Sequence, residues 1–203
     1  MTLIIGRRNN GYHRPVLVEE AVNFLVTRCD GVYLDLTCGG GGHLKYLSDK
    51  LSPAAILVGI DRDPEAISAT KENLKSIPQF TRILKGDFCR FDEMARTLEL
   101  DKIDGILLDL GLSSHQLDSA ERGFAYMQDG PLDMRMGRED DLTAEVVINS
   151  YSETELGLLF KEFGEEKRAK IAAWTICRER IKGEIKTTAQ LRRVLESVLP
   201  ARD

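Results

Sequence analysis

Four acidic residues recur at matching places in four successive apolar runs: Asp35 in VYLDLT, Asp61 closing ILVGID, Asp87 closing TRILKGD and Asp109 in IDGILLDL. The first run leads into Thr37, four consecutive glycines at 39–42, and His43. Glycines placed between an apolar run and a helix let the backbone approach a ligand, and the free N–H groups of the helix start then point at it. The spacing D-x-T-x-G-x-G over Asp35, Thr37, Gly39 and Gly41 therefore reads as the floor of a site for a nucleotide-like cofactor.

Two ligand classes compete for such a floor. A dinucleotide site needs G-x-G-x-x-G and an acid about 20 residues on. Counted from Gly39, the sixth position is Leu44, and Asp35 would repel a pyrophosphate. S-adenosylmethionine carries a sulfonium and an ammonium group, which an acid beside the glycines would attract. On this reading Gly39, Gly41, Gly42 and His43 form the turn, Asp61 accepts from two ribose hydroxyls, and Phe88 stacks on adenine. Plainer roles stand beside these. Asp35 can cap a turn, Asp63 can cap a helix, Phe88 can belong to the core, and His43 can bond at a helix start.

A metal is not expected. Cys29, Cys38, Cys89 and Cys177 contain no C-x-x-C pair, and His13, His43 and His115 are dispersed. The same scatter argues against a disulfide framework and points to a reducing, cytoplasmic setting. Nothing resembles a secretory signal, a transit peptide or an apolar run of membrane-spanning length, so no membrane partner is expected.

The elements that would position these residues follow from periodicity. Strands are expected at 32–37, 56–61, 81–87 and 103–110, and helices at 16–27, 42–49, 64–76 and 88–98. Asp63–Pro64 marks a helix start. This alternation predicts an α/β fold: a doubly wound, Rossmann-like parallel sheet with ligands at the carboxyl ends of its strands. Residues 112–137 are turn-rich with little periodicity, and a loop of that length is usually functional. Helices alone are expected beyond it, at 143–149, 153–163, 165–181 and 187–199, with Ser152 and Glu155 as a capping box. Trp174, among Ile171, Ala172 and Ile176, reads as core. The expected organisation is a cofactor domain at 1–111, a substrate-facing loop at 112–142 and an appended all-helical module at 143–203.

With 203 residues, 30% charged and 42% hydrophobic, the chain suits a globular protein with a substantial core. Residues 1–160 carry 17 Lys and Arg against 26 Asp and Glu, a balance of −9; residues 161–203 carry 11 against 7, a balance of +4. An acidic body with a basic tail points weakly to a polyanionic partner, or to a solvated helix face.

The runs YHRPVLVEEAV, YLDLTCGGGGH, GIDRDPEAI, KGDF, IDGILLDLGLSSHQLDSAERGFAYMQDGPLDMRM and EFGEEKRAKIA resemble the small-subunit ribosomal RNA methyltransferase H family, also called MraW. The resemblance implies methyl transfer from S-adenosylmethionine to the N4 amino group of a decoding-region cytidine in 16S ribosomal RNA. It places cofactor contacts on Gly41, Gly42, His43, Asp61, Phe88, Asp109 and Gln116. Asp109 is the expected proton acceptor, helped by Ser113 or Ser114. The target base must leave its stack. Arg122, Phe124, Tyr126 and Arg135 are expected to grip it, although Asp133 and Arg135 can instead pair with each other. Lys167 and Arg168 are expected to contact phosphates. Members of the family continue past the helical module and return to the sheet. With only four strands in this chain, the last would be an open apolar edge inviting a homodimer. Other readings remain: a cofactor-binding but non-catalytic assembly module, or a methyltransferase for a small molecule or protein.

Overall fold

Each of the four apolar runs becomes a strand, and in the computed structural model all four lie parallel in one sheet: β1 (Val32–Asp35), β2 (Ile56–Asp61), β3 (Phe80–Lys85) and β4 (Gly105–Leu107). Their order is β3-β2-β1-β4. The chain thus steps outward from β1 to β3 and then crosses back to β4, so the strand order reverses between β1 and β4. The structure describes residues 15–199; nearly all of the irregular opening segment, His13 included, lies outside them. The chain divides into two units, 1–113 and 114–203.

In the first unit, successive strand residues serve opposite faces of the sheet, as the period of two requires. Tyr33 and Leu57 join a core with Val18, Val22, Leu44, Leu47 and Ile67. Those partners come from α1 (Val18–Leu25), α2 (Gly42–Lys50) and α3 (Pro64–Asn73). Leu34, Leu36, Val58 and Ile60 face the other way, against Phe88 and against Phe91 and Met94 of α4 (Phe91–Thr97). Helices on both faces make the sheet doubly wound. Tyr33 is fully buried because its hydroxyl is satisfied: it accepts from the Thr27 and Arg28 N–H groups at 3.1 and 3.0 Å and donates to the Arg28 carbonyl at 2.7 Å.

Two expectations about extent change. The fourth strand, expected over 103–110, is three residues long, and Ile106, Leu108 and Leu110 are exposed at 37%, 45% and 68%. β4 pairs with β1 alone, over Tyr33–Asp35, so its ladder ends where β1 ends. The helix expected over 88–98 opens with a 3-10 turn, Phe88–Arg90, capped by Asp87.

The second unit is helical: α5 (Ser114–Asp118), α6 (Ala144–Ser150), α7 (Glu153–Glu162), α8 (Ala169–Glu179) and α9 (Thr188–Glu196). Thr143 caps α6, and full capping boxes open α7 (Ser152 with Glu155) and α9 (Thr187 with Gln190). Leu132, Ile148, Leu156, Ala173, Ile176 and Ile185 form its core. The turn-rich segment is stitched into this unit. Pro131 bridges Thr187, the Leu132 N–H donates to the Lys186 carbonyl at 2.9 Å, and Leu132 is buried. Trp174 is not core: it is 46% exposed, because α8 turns Ala172, Ala173, Thr175 and Ile176 inward instead.

Candidate functional site

The glycine turn sits at the carboxyl end of β1, beside the reversal of strand order, where open α/β sheets bind their ligands. Gly39 and Gly41 have φ of +50° and +81°, a region that costs a side-chain-bearing residue about 1–2 kcal/mol. A Cβ on Gly41 would also lie 3.1 Å from the Thr70 methyl group. The turn then opens directly into α2, whose N-terminus has no side-chain cap. A helix start without such a cap suits an anionic group of a ligand.

Asp61, at the end of β2, holds this turn. Its Oδ2 accepts from the Gly39 N–H at 2.8 Å and its Oδ1 from the Asp63 N–H at 2.9 Å. Burial raises the Asp61 carboxyl above its ordinary range, against the opposing pull of those N–H donors. Two residues that the sequence reading did not single out complete the support. The Thr70 hydroxyl donates to the Gly39 carbonyl at 2.6 Å and the Asn73 amide to the Gly40 carbonyl at 2.8 Å. Their signal was polar residues at i and i+3 of α3, which is common on any solvated helix.

Asp35 is fully buried. Its Oδ1 accepts from the Thr37 N–H at 3.1 Å, while Oδ2 has no hydrogen-bond partner among the described residues. Burial pushes its carboxyl up to about 7, and the nearby Asp61 and Asp109 carboxylates push the same way. Burial beside these acids also pushes the Cys38 thiol up, so it is no nucleophile at neutral pH. A buried carboxylate oxygen without a donor is costly unless a cation or a proton meets it. Asp35 therefore does cap a turn, but with one oxygen only.

Thr37 joins the third acid to the same place. Its hydroxyl accepts from the Asp109 N–H at 2.8 Å, which fixes the backbone beyond β4 and leaves the exposed Asp109 side chain clear of that bond. Asp87 is engaged locally. Its carboxylate accepts from the Cys89 N–H at 2.9 Å and lies 3.5 Å from Arg62, which together hold it below the usual range. Phe88 is half-buried at the margin of the sheet core. His43 is buried in the first turn of α2, its Nε2 3.4 Å from the Val16 carbonyl oxygen. Ser113 is the last residue of the first unit.

The remaining candidates belong to the second unit. Gln116 is buried in α5. Arg122, expected to grip a base, is 2% exposed, and its Nη2 donates to the carbonyls of Arg135 and Met136 at 3.1 Å each. Arg135 is engaged bidentately by Asp133, at 2.9 and 2.7 Å, and donates to the carbonyls of Arg138 and Asp140 at 2.9 Å each. Both guanidinium groups are therefore bonded within the loop, and Asp133 and Arg135 pair as the alternative expectation had it. Gly123 completes this knot, since its φ is +73° and a Cβ there would lie 2.2 Å from the Pro131 carbonyl oxygen. Phe124 is half-buried and Tyr126 is 70% exposed. Lys167 is exposed, whereas Arg168 donates to the Val198 carbonyl at 3.2 Å. Among the described residues no group of three or more His, Cys, Asp or Glu is placed to hold a metal, and no helix is long and apolar enough to cross a membrane.

A doubly wound sheet with a left-handed glycine turn at its switch point, flanked by the buried Asp35 and the partly buried Asp61, is the Rossmann-like arrangement at which nucleotide cofactors are bound. Residues 10–203 match the model of the MraW methylase family, and the chain belongs to that family. Ribosomal RNA small subunit methyltransferase H of Clostridium botulinum (strain Loch Maree / Type A3) is 46% identical over 190 residues, 94% of this chain and 61% of that protein. The protein of the same name from Caldicellulosiruptor saccharolyticus is 48% identical over 188 residues, 93% of this chain and 61% of its own. This chain thus spans about 61% of the length of these curated relatives. A solved structure, a SAM-dependent methyltransferase from Aquifex aeolicus, aligns at a TM-score of 0.34 and 19% identity over 73% of this chain and 79% of that one, too slight a likeness to build on.

Proposed function

We propose that this chain binds S-adenosylmethionine at the glycine turn and directs its methyl group to the N4 amino group of a decoding-region cytidine in small-subunit ribosomal RNA. The observation that carries the cofactor half is the unpartnered Oδ2 of Asp35, buried beside a left-handed glycine turn. The naming of the relatives supports the ribosomal RNA half.

The residues fit that cofactor. The Gly41–Gly42–His43 backbone and the uncapped start of α2 suit a carboxylate. Asp35 suits a cationic group, Asp61 a pair of hydroxyls and Phe88 the flank of a purine, while Asp109 supplies a polar edge. When bound, the cofactor supplies an electrophilic methyl group. The protein's own contribution is alignment, holding nucleophile and methyl about 3 Å apart and in line. A cytosine amino group is a weak nucleophile because its lone pair is delocalised into the ring. Asp109, exposed and tethered through its backbone to Thr37, accepts an N–H of that amino group, localises the pair and takes the proton, with Ser113 as a second acceptor. Tyr126 and Phe124 offer rings to an unstacked base, and Lys167 a charge to phosphate.

The test is calorimetry with S-adenosylmethionine, followed by transfer of labelled methyl to small ribosomal subunits with nucleoside analysis of the product. We expect saturable binding and N4-methylcytidine. Absence of binding overturns the reading. Binding without transfer overturns the methyl-transfer half of the reading and leaves a cofactor-binding module.

A further inference from the structure

The exposed side of α8 carries four residues that neither the core nor the candidate site uses. Lys170, Ile171, Trp174 and Arg178 project from one face, at helical spacings of three, four and seven or eight, while Ala172, Ala173, Thr175 and Ile176 are buried on the opposite one. Ile171 and Trp174 are 49% and 46% exposed. The Arg178 guanidinium lies over the Trp174 ring, 4.6 Å from its centroid. Lys170 and Arg178 form no ion pair among the described residues, and the strip contains no carboxylate. Exposed Lys167 lies three residues before Lys170, in the turn that precedes α8.

We infer that this strip is a second RNA-contact surface, on which Trp174 and Arg178 stack an unpaired base while Lys170 and Lys167 meet the flanking phosphates. The inference rests on the reading of small-subunit RNA as substrate. The charge decides the kind of partner: residues 161–203 carry a balance of +4 in a chain of −5, so the strip selects a polyanion. The aromatic ring decides among polyanions. Each nucleobase has a face to stack on, and an Arg plane beside an aromatic ring extends the platform, whereas an acidic peptide offers no flat group to the indole. The length agrees. From Lys170 to Arg178 is about 12 Å of helix, some three nucleotides of a stacked strand at ~3.4 Å each.

Trp174 is the chain's single tryptophan, so its fluorescence reports the strip directly. The full chain is titrated with an unstructured twelve-nucleotide RNA, with polyglutamate as the rival polyanion. We expect RNA to quench Trp174 and polyglutamate not to. By anisotropy of labelled RNA, Trp174→Ala should weaken binding roughly 5- to 100-fold, with Trp174→Phe largely restoring it. Lys170→Gln and Lys167→Gln should each lower the slope of log K against log salt by about 0.7. Circular dichroism of each variant checks that α8 remains folded, and because Trp174 is half-exposed the helix should tolerate Phe. RNA binding without quenching, equal quenching by polyglutamate, or no RNA binding overturns the inference. Methyl transfer to subunits that is indifferent to Trp174→Ala overturns it while sparing the proposed function. RNA quenching with no methyl transfer spares the strip and sinks that function.

Discussion

At the scale of single residues, Asp35 is the most informative side chain. Its carboxyl is raised to about 7 in the folded protein, against an ordinary value near 3.8. Between those values the folded state holds a proton that the unfolded chain has released, so stability falls as pH rises from about 4 to about 7 and then levels off. Thermal melts from pH 4 to 8 should show that decline, on the order of a few kcal/mol. Asp35→Asn should flatten it, because an amide has no proton to lose. A cationic ligand would favour the ionised form, so cofactor should protect most above pH 7. Asp61 holds the glycine turn, a role that its place at the strand end did not disclose. Asp61→Ala should abolish cofactor binding in calorimetry, and by orphaning the Gly39 and Asp63 N–H groups it should also cost about 1–3 kcal/mol. Asp61→Asn, which keeps an acceptor for one of them, should recover part of the stability and less of the affinity.

At the scale of elements, the loop block ERGFAYMQDGPLDMRM reads differently in three dimensions than in one. Along the sequence its arginines and aromatics resemble a grip for RNA. In the fold, Arg122 and Arg135 tie loop carbonyls together and Gly123 permits a left-handed turn against Pro131. Gly123→Ala should therefore destabilise the protein by more than 2 kcal/mol in urea denaturation, through backbone strain and a steric clash together. Thr187→Ala, which removes one half of a capping box on α9, should cost about 1 kcal/mol. Helix starts were legible in the sequence because a cap is a local event: Asp63 and Ser152 each accept from an N–H two or three residues on. Which face of α8 turns inward was not legible, because alanines and a threonine fill the interior while the larger Trp174 and Ile171 stay outside. Hydrophobicity alone ranks those residues the other way.

At the scale of the whole molecule, β4 presents one open face. Ile106 in β4 and Leu108 and Leu110 just beyond it alternate along the chain and are all exposed. An exposed apolar edge is a template for association. Sedimentation velocity should show concentration-dependent dimers of this chain, and Leu108→Lys should abolish them. A monomer at every concentration would remove the proposed homodimer.

The alternating pattern of apolar runs, acids and glycines determined by itself that a parallel, doubly wound sheet would form with a glycine turn after its first strand. Those features depend on residues close in sequence: a period of two, a cap, a left-handed glycine. Tertiary structure alone decided which acids gather beside that turn. Asp35, Asp61 and Asp109 are brought within electrostatic reach by neighbouring strand ends, while Asp87 is turned to Arg62 and its own 3-10 turn. Thr70 and Asn73 acquire their role only when α3 packs back on the turn. Electrostatic coupling and close packing act through space, and so the partners of a buried carboxylate cannot be read from its position in the chain.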